Sequence, residues 1–234
     1  MGALEWGLYG YAKGVLDNWL TYFIKDDGFV LYRGLEMAEH GRMLSNIAQY
    51  YQYTGDGDLL LKHLDKIKGI GWLLNQRRDA ALRNYPPTDS RHGMPTGNDE
   101  ADLFWQTVSL GPKGNRTEMP FISIAAEMWR GMRDIGAALE AVGKAKGSAA
   151  ATAIGNNFSA VAPPLLATLR KSMAMDAFSS SGGAGPRCFP YVAGNKNCGE
   201  LKPQPSDRDS EPWRTYVSSG TCNFYFYIPY ESVS

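Results

Sequence analysis

The chain has 234 residues, with 24 Lys and Arg against 24 Asp and Glu, and 44% of its side chains are hydrophobic. That length and apolar content suffice for one or two domains with a buried core and exclude disorder over most of the sequence. Balanced charge removes the usual electrostatic reason to expect nucleic acid or an anionic membrane as a partner. No apolar run reaches the roughly 18 positions that a spanning helix needs. Glu5, Lys13 and Asp17 interrupt the first stretch, so no secretory signal peptide is read there.

From Leu4 the apolar positions Leu8, Tyr11, Ala12, Val15, Trp19 and Phe23 recur at intervals of three and four, which predicts a helix over 3–24 with that face buried. Asp26-Asp27-Gly28 signals a turn, and Phe29 to Tyr32 a short extended piece. Met37, Gly41, Leu44, Ile47 or Ala48, and Tyr51 predict the next helix. The segment Thr54-Gly55-Asp56-Gly57-Asp58 closes it with glycine and opens a third, whose apolar positions Leu60, Leu64, Ile67, Gly71 and Leu74 reach about Ala81. A connection this short makes the two helices antiparallel neighbours.

Residues 84–118 break the rhythm with Pro86-Pro87, Gly93, Pro95, Gly97 and Gly111-Pro112, and connections beyond about 15 residues are often binding or catalytic loops. Pro120 suits the first turn of a fourth helix, after Thr117 or Glu118 as cap, with Ala125, Met128, Met132, Ile135, Leu139 and Val142 as its stripe. Glu127, Arg130 and Asp134 lie on its other face, as a solvated or inter-helix ion pattern. Ser148 caps a fifth pattern, Ile154 to Met173, whose period runs through Pro163-Pro164 and predicts one helix kinked at the prolines. After Ala177 the sequence turns to Ser, Gly, Pro and Asn, with a strand expected over Cys222–Ile228. The chain thus divides into a helical domain over 1–177 and an irregular, loop-rich segment over 178–234.

Cys188, Cys198 and Cys222 cannot all pair within one chain; a Cys188–Cys198 disulfide and unpaired thiols both remain open. His40, His63 and His92 are far from them in sequence, and no phosphate-cradling glycine loop is present, so neither a metal nor a cofactor is expected. Asn115-Arg116-Thr117 and Asn157-Phe158-Ser159 match the glycosylation acceptor pattern, which matters only in a secretory route.

The run Ser45 to Asp56, with its tyrosines and Thr54-Gly55-Asp56, followed by Leu59-Leu60, Lys66-Ile67 and Trp72-Leu73-Leu74, resembles the six-hairpin glycosidase superfamily. The resemblance covers roughly 3–176 and implies an all-α fold, with antiparallel helical hairpins forming part of an (α/α) toroid. In that phrase the aromatics pack the end of one helix, Thr-Gly-Asp makes the turn, and Trp72 anchors the returning helix. A whole six-hairpin toroid has twelve helices and five patterns are counted here, so the chain is expected to be a fragment, a truncated product or a degenerate relative holding two and a half hairpins.

The resemblance further implies an oligo- or polysaccharide substrate at one mouth of the toroid, with acidic residues supplied by loops. Glycosidic cleavage needs a pair of carboxyl groups, one to protonate the leaving oxygen and one to activate water or attack. Asp99, Glu100 and Asp102, among glycines and next to Trp105, are the catalytic candidates. Arg33, Glu36 and His92 are candidate hydrogen-bonding residues, and Trp105, Trp213 and Tyr216 candidate stacking platforms. Glu118 reads as a helix-terminus charge rather than a base. Two other readings stay open: a non-catalytic helical-hairpin module that binds a glycan or a protein, and a polysaccharide lyase using His92 and Arg91. The compartment is extracellular if the N-terminus is truncated and cytoplasmic otherwise.

Overall fold

A computed structural model describes residues 2–30, 37–97, 118–179, 187–188 and 192–194. Helix dominates these residues, and no helix among them is long and apolar enough to cross a membrane.

The N-terminal region is not the single helix that the spacing predicts. A short α1 (Gly2–Glu5) ends where Gly7 takes φ 72°, a backbone conformation open to glycine. Helix α2 (Tyr9–Asn18) then continues into a π-helical turn over Trp19–Phe23. The buried face is Leu4, then Ala12, Leu16, Leu20 and Ile24 at intervals of four, while Leu8, Tyr11, Val15 and Phe23 are exposed. Two interleaved apolar stripes compete on this segment, and tertiary packing selects the aliphatic one.

Helix α3 (Met37–Thr54) buries Met37, Leu44, Ile47 and Ala48, as its period requires. The turn after it is tightly determined. Gly55 sits at φ 68°, and the Thr54 hydroxyl donates to the Tyr50 carbonyl while accepting from the Asp56 amide. Asp56 Oδ1 accepts from the Asp58 amide at 3.0 Å, which starts α4 (Asp58–Lys62). The expected third helix is split at His63 (φ −111°, ψ 24°), after which α5 runs Leu64–Asn84. The split lets the buried His63 ring meet Asp17 of α2 at 2.5 Å. Trp72 does not anchor α5, being 53% exposed. Its neighbour Gly71 makes the anchor instead, because it leaves room for the Phe158 ring.

Helix α6 (Ile122–Lys146) begins two residues beyond Pro120, with Phe121 as its N-terminal flank, and Gly147 ends it in the left-handed conformation. Its stripe from Ala125 to Val142 is almost wholly buried, as predicted. Helix α7 (Ala149–Asp176) has Ser148 as a cap accepting from the Ala151 amide at 3.3 Å. It continues through Pro163 and Pro164, whose side chains face outward. Beyond it lies a two-residue antiparallel pair, β1 (Phe178–Ser179) with β2 (Arg187–Cys188).

Helix directions follow from the contacts. A side chain on Gly41, near the start of α3, would collide with the Glu127 carbonyl near the start of α6, and Gly57 beyond the end of α3 lies against Val142 near the end of α6. These two helices therefore run the same way at backbone contact. Gly71 meets Phe158, and Leu82 and Thr168 both border Gly93, so α5 and α7 also run alike. Along α2, Lys13 reaches Asp56, Asp17 reaches Lys62, and the Ile24 carbonyl accepts from Lys66, so α2 is aligned with α5. The chain accordingly alternates in direction from α2 to α7. The short turns at 55–57 and 147–148 lie at one end, and the connections α2–α3 and α5–α6 and the exit from α7 lie at the other.

Candidate functional site

The end with the long connections holds His92, a sequence-predicted site residue. The others, Arg33, Glu36, Asp99, Glu100, Asp102, Trp105, Trp213 and Tyr216, lie outside the described residues, as do Cys198, Cys222 and the expected strand at 222–228.

The connection leaving α5 is built from successive turns. Tyr85 is extended and ends the helix. Asp89 Oδ1 accepts from the Arg91 amide at 2.9 Å, the His92 amide donates to the Asp89 carbonyl, and the Met94 amide donates to the Arg91 carbonyl. Gly93 has φ 76° between the side chains of Leu82 and Thr168. Met94 then plugs the fully buried cluster that also holds Ile122, Leu169 and Ala193. At Gly97 the chain pairs with Met119 through two backbone hydrogen bonds of 3.1 and 2.9 Å.

The charged groups here are committed to partners. The Arg91 guanidinium grips Asp89 in bidentate fashion at 2.9 and 2.6 Å and lies over the Tyr85 ring at 4.3 Å. That grip holds the Asp89 carboxyl down at about 2, so Asp89 cannot act as a general acid near neutral pH. Glu118 pairs with Arg77 of α5 and lies outside α6, which corrects its reading as a helix-terminus charge. Glu127, 6% exposed, pairs with Arg42 of α3 at 3.3 Å, which is the inter-helix form of the predicted ion pattern. Asp134 is shared by Arg130 and Arg133. Asp176 accepts from the Gly194 amide at 2.7 Å.

His92 is half-buried, and its Nδ1 is 2.7 Å from the Tyr85 carbonyl. A carbonyl oxygen only accepts, so Nδ1 carries the hydrogen and Nε2 is the acceptor of the neutral ring. Asp89, Arg77 and Asp176 were not singled out from sequence. For Asp89 the signal was available, since an Asp two residues before an Arg in a proline-rich turn suits a side-chain-to-backbone turn; for Arg77 and Asp176, each paired with a segment distant in sequence, there was none.

A separate cavity of about 220 Å³ opens between α2 and α3, floored by Val15, Leu16, Trp19 and Met43 with Glu39 and Arg42 at its side. Among the described residues no group of three or more His, Cys, Asp or Glu gathers as metal ligands would. Comparison with protein-family models, with curated proteins and with solved structures finds no match to the chain.

Proposed function

We propose that the chain is part of a glycoside hydrolase-like carbohydrate-active enzyme built on an (α/α) toroid, of which it holds two and a half hairpins. The observation that carries this reading is the layering: α3 and α6 side by side in one direction, backed by α2, α5 and α7 in the other, with the long connections at one end. In a toroid the first set forms the inner wall and the second the outer. Trp6 at 83% exposed, with Tyr11 and Tyr22 each at 70%, then mark the open edge on which further helices sit. The Thr54-Gly55-Asp56 turn supports the same reading by making the reversal that the phrase requires.

The catalytic carboxyl groups are Asp99, Glu100 and Asp102, as the resemblance implies; Asp89, Glu118, Glu127 and Asp176 already serve as partners to cations or a backbone amide, which is consistent with that choice. Arg33, Glu36 and His92 hydrogen-bond sugar hydroxyls, and Trp105, Trp213 and Tyr216 stack on pyranose rings of an oligo- or polysaccharide. The test is release of reducing ends from a panel of oligosaccharides by the protein that carries this chain. Asp99→Asn and Glu100→Gln each abolish release while the helical circular dichroism is retained; unchanged turnover in both removes the loop from the chemistry. The Nδ1–H geometry of His92 favours one second reading, a lyase in which Nε2 takes a proton beside a uronate carboxylate. Ultraviolet absorbance from an unsaturated uronate product separates the two, since hydrolysis forms no such double bond.

A further inference from the structure

We infer that Val192–Gly194 is a clasp that locks the base of the α5–α6 connection, so that these three residues and the backbone at 94–97 and 119–121 open together. These three residues touch three different elements. Val192 pairs with Phe121 at the entry to α6. The Ala193 amide donates to the Pro120 carbonyl at 3.0 Å, and its side chain is buried in the cluster of Met94, Ile122 and Leu169. The Gly194 amide donates to Asp176 Oδ2 at 2.7 Å. Gly194 itself has φ 84°, and a Cβ there would stand 3.0 Å from Arg91 Cδ, so the clasp also seats against the arginine that Asp89 and Tyr85 hold in place.

Asp176 gives the clasp its physical signature. It is the last residue of α7 and is 3% exposed. A carboxylate at a helix C-terminus opposes the helix dipole, and burial adds a desolvation cost, so helix formation alone does not favour an acid there. The charge-assisted bond it accepts from an amide 18 residues further along offsets both costs. The inference is independent of the carbohydrate reading, because it concerns which backbone groups open together.

Amide hydrogen exchange on the full chain tests it. Asp176→Ala, which removes one charge-assisted hydrogen bond, and Gly194→Ala, which strains the backbone at φ 84° and presses a methyl on Arg91, each accelerate exchange at Met94, Gly97, Met119 and Phe121 by about tenfold. Amides in the middle of α3 and α6 keep their protection. Ser172→Ala, a buried change one turn earlier on α7, leaves the same four amides unaffected. Faster exchange confined to 192–194, or wild-type protection of the four amides in both variants, overturns the inference. If Asp176→Ala loses its helical signal, Gly194→Ala decides alone, because that residue is on the surface.

Discussion

Replacing Asp56 by Ala removes the hub of the α3–α4 turn. Its Oδ2 accepts from the Tyr50 hydroxyl at 2.6 Å and from Lys13 Nζ at 2.6 Å, while Oδ1 accepts from the Asp58 amide at 3.0 Å. The Lys13 contact is exposed and adds little. The other two bonds contribute about 1 kcal/mol each, and leaving the hydroxyl of the buried Tyr50 unpaired raises the expected loss to about 2–3 kcal/mol. For a chain of this size that corresponds to a fall in Tm of roughly 5–10 °C. Urea unfolding followed by far-UV circular dichroism, run as a cycle with Tyr50→Phe, isolates the pair: the double variant loses about 1 kcal/mol less than the sum of the singles. Additive losses, or a single-variant loss below about 0.5 kcal/mol, would refute the hub. The same carboxyl sets an acid limb. The bonds from Lys13 and then Tyr50 lower its pKa from 3.8 to about 2. A depressed folded-state value contributes stability that is complete above the unfolded value and is lost as pH falls through the folded one. The wild type therefore loses about 1–2 kcal/mol between pH 4 and pH 2, after allowance for a side chain that is partly in solvent, and Asp56→Ala lacks that component.

Other substitutions sort the helix contacts. Gly41→Ala drives a methyl into the Glu127 carbonyl, so α3 and α6 must separate, and a loss of about 3 kcal/mol or more is expected in the same denaturant assay; a loss under 1 kcal/mol would show that the two backbones do not touch. Trp72→Ala changes stability by no more than about 0.5 kcal/mol, whereas Phe158→Ala costs about 3–5 kcal/mol, and reversal of that order would restore Trp72 as the anchor. Arg42→Ala removes the guanidinium that pairs with the buried Glu127 and is expected to lower Tm at neutral pH; a Tm unchanged at neutral pH would make the pair dispensable.

Helices with a single continuous apolar stripe were legible in the sequence. The stripes of α3, α6 and most of α7 fall where spacing placed them, because one face is aliphatic and the other is not. Helix α2 was misread because aromatic and aliphatic positions alternate there, and periodicity alone cannot tell which face meets the core. The break at His63 and the exposure of Trp72 arise from partners on other helices, Asp17 and Phe158, which no local pattern encodes. At the candidate site, the glycines and prolines correctly announced a long connection. The sequence did not reveal that Asp89 and Glu118 are consumed by Arg91 and Arg77, because those pairings depend on how the turns and helices meet.

The central claim is that the end carrying the long connections receives a saccharide. Amide hydrogen exchange in the presence and absence of an oligosaccharide panel measures it on the intact protein. Added protection at 85–97 and 118–121 is the predicted result, with the turns at 55–57 and 147–148 unchanged. Protection at those opposite turns, or no change with any saccharide, would contradict it.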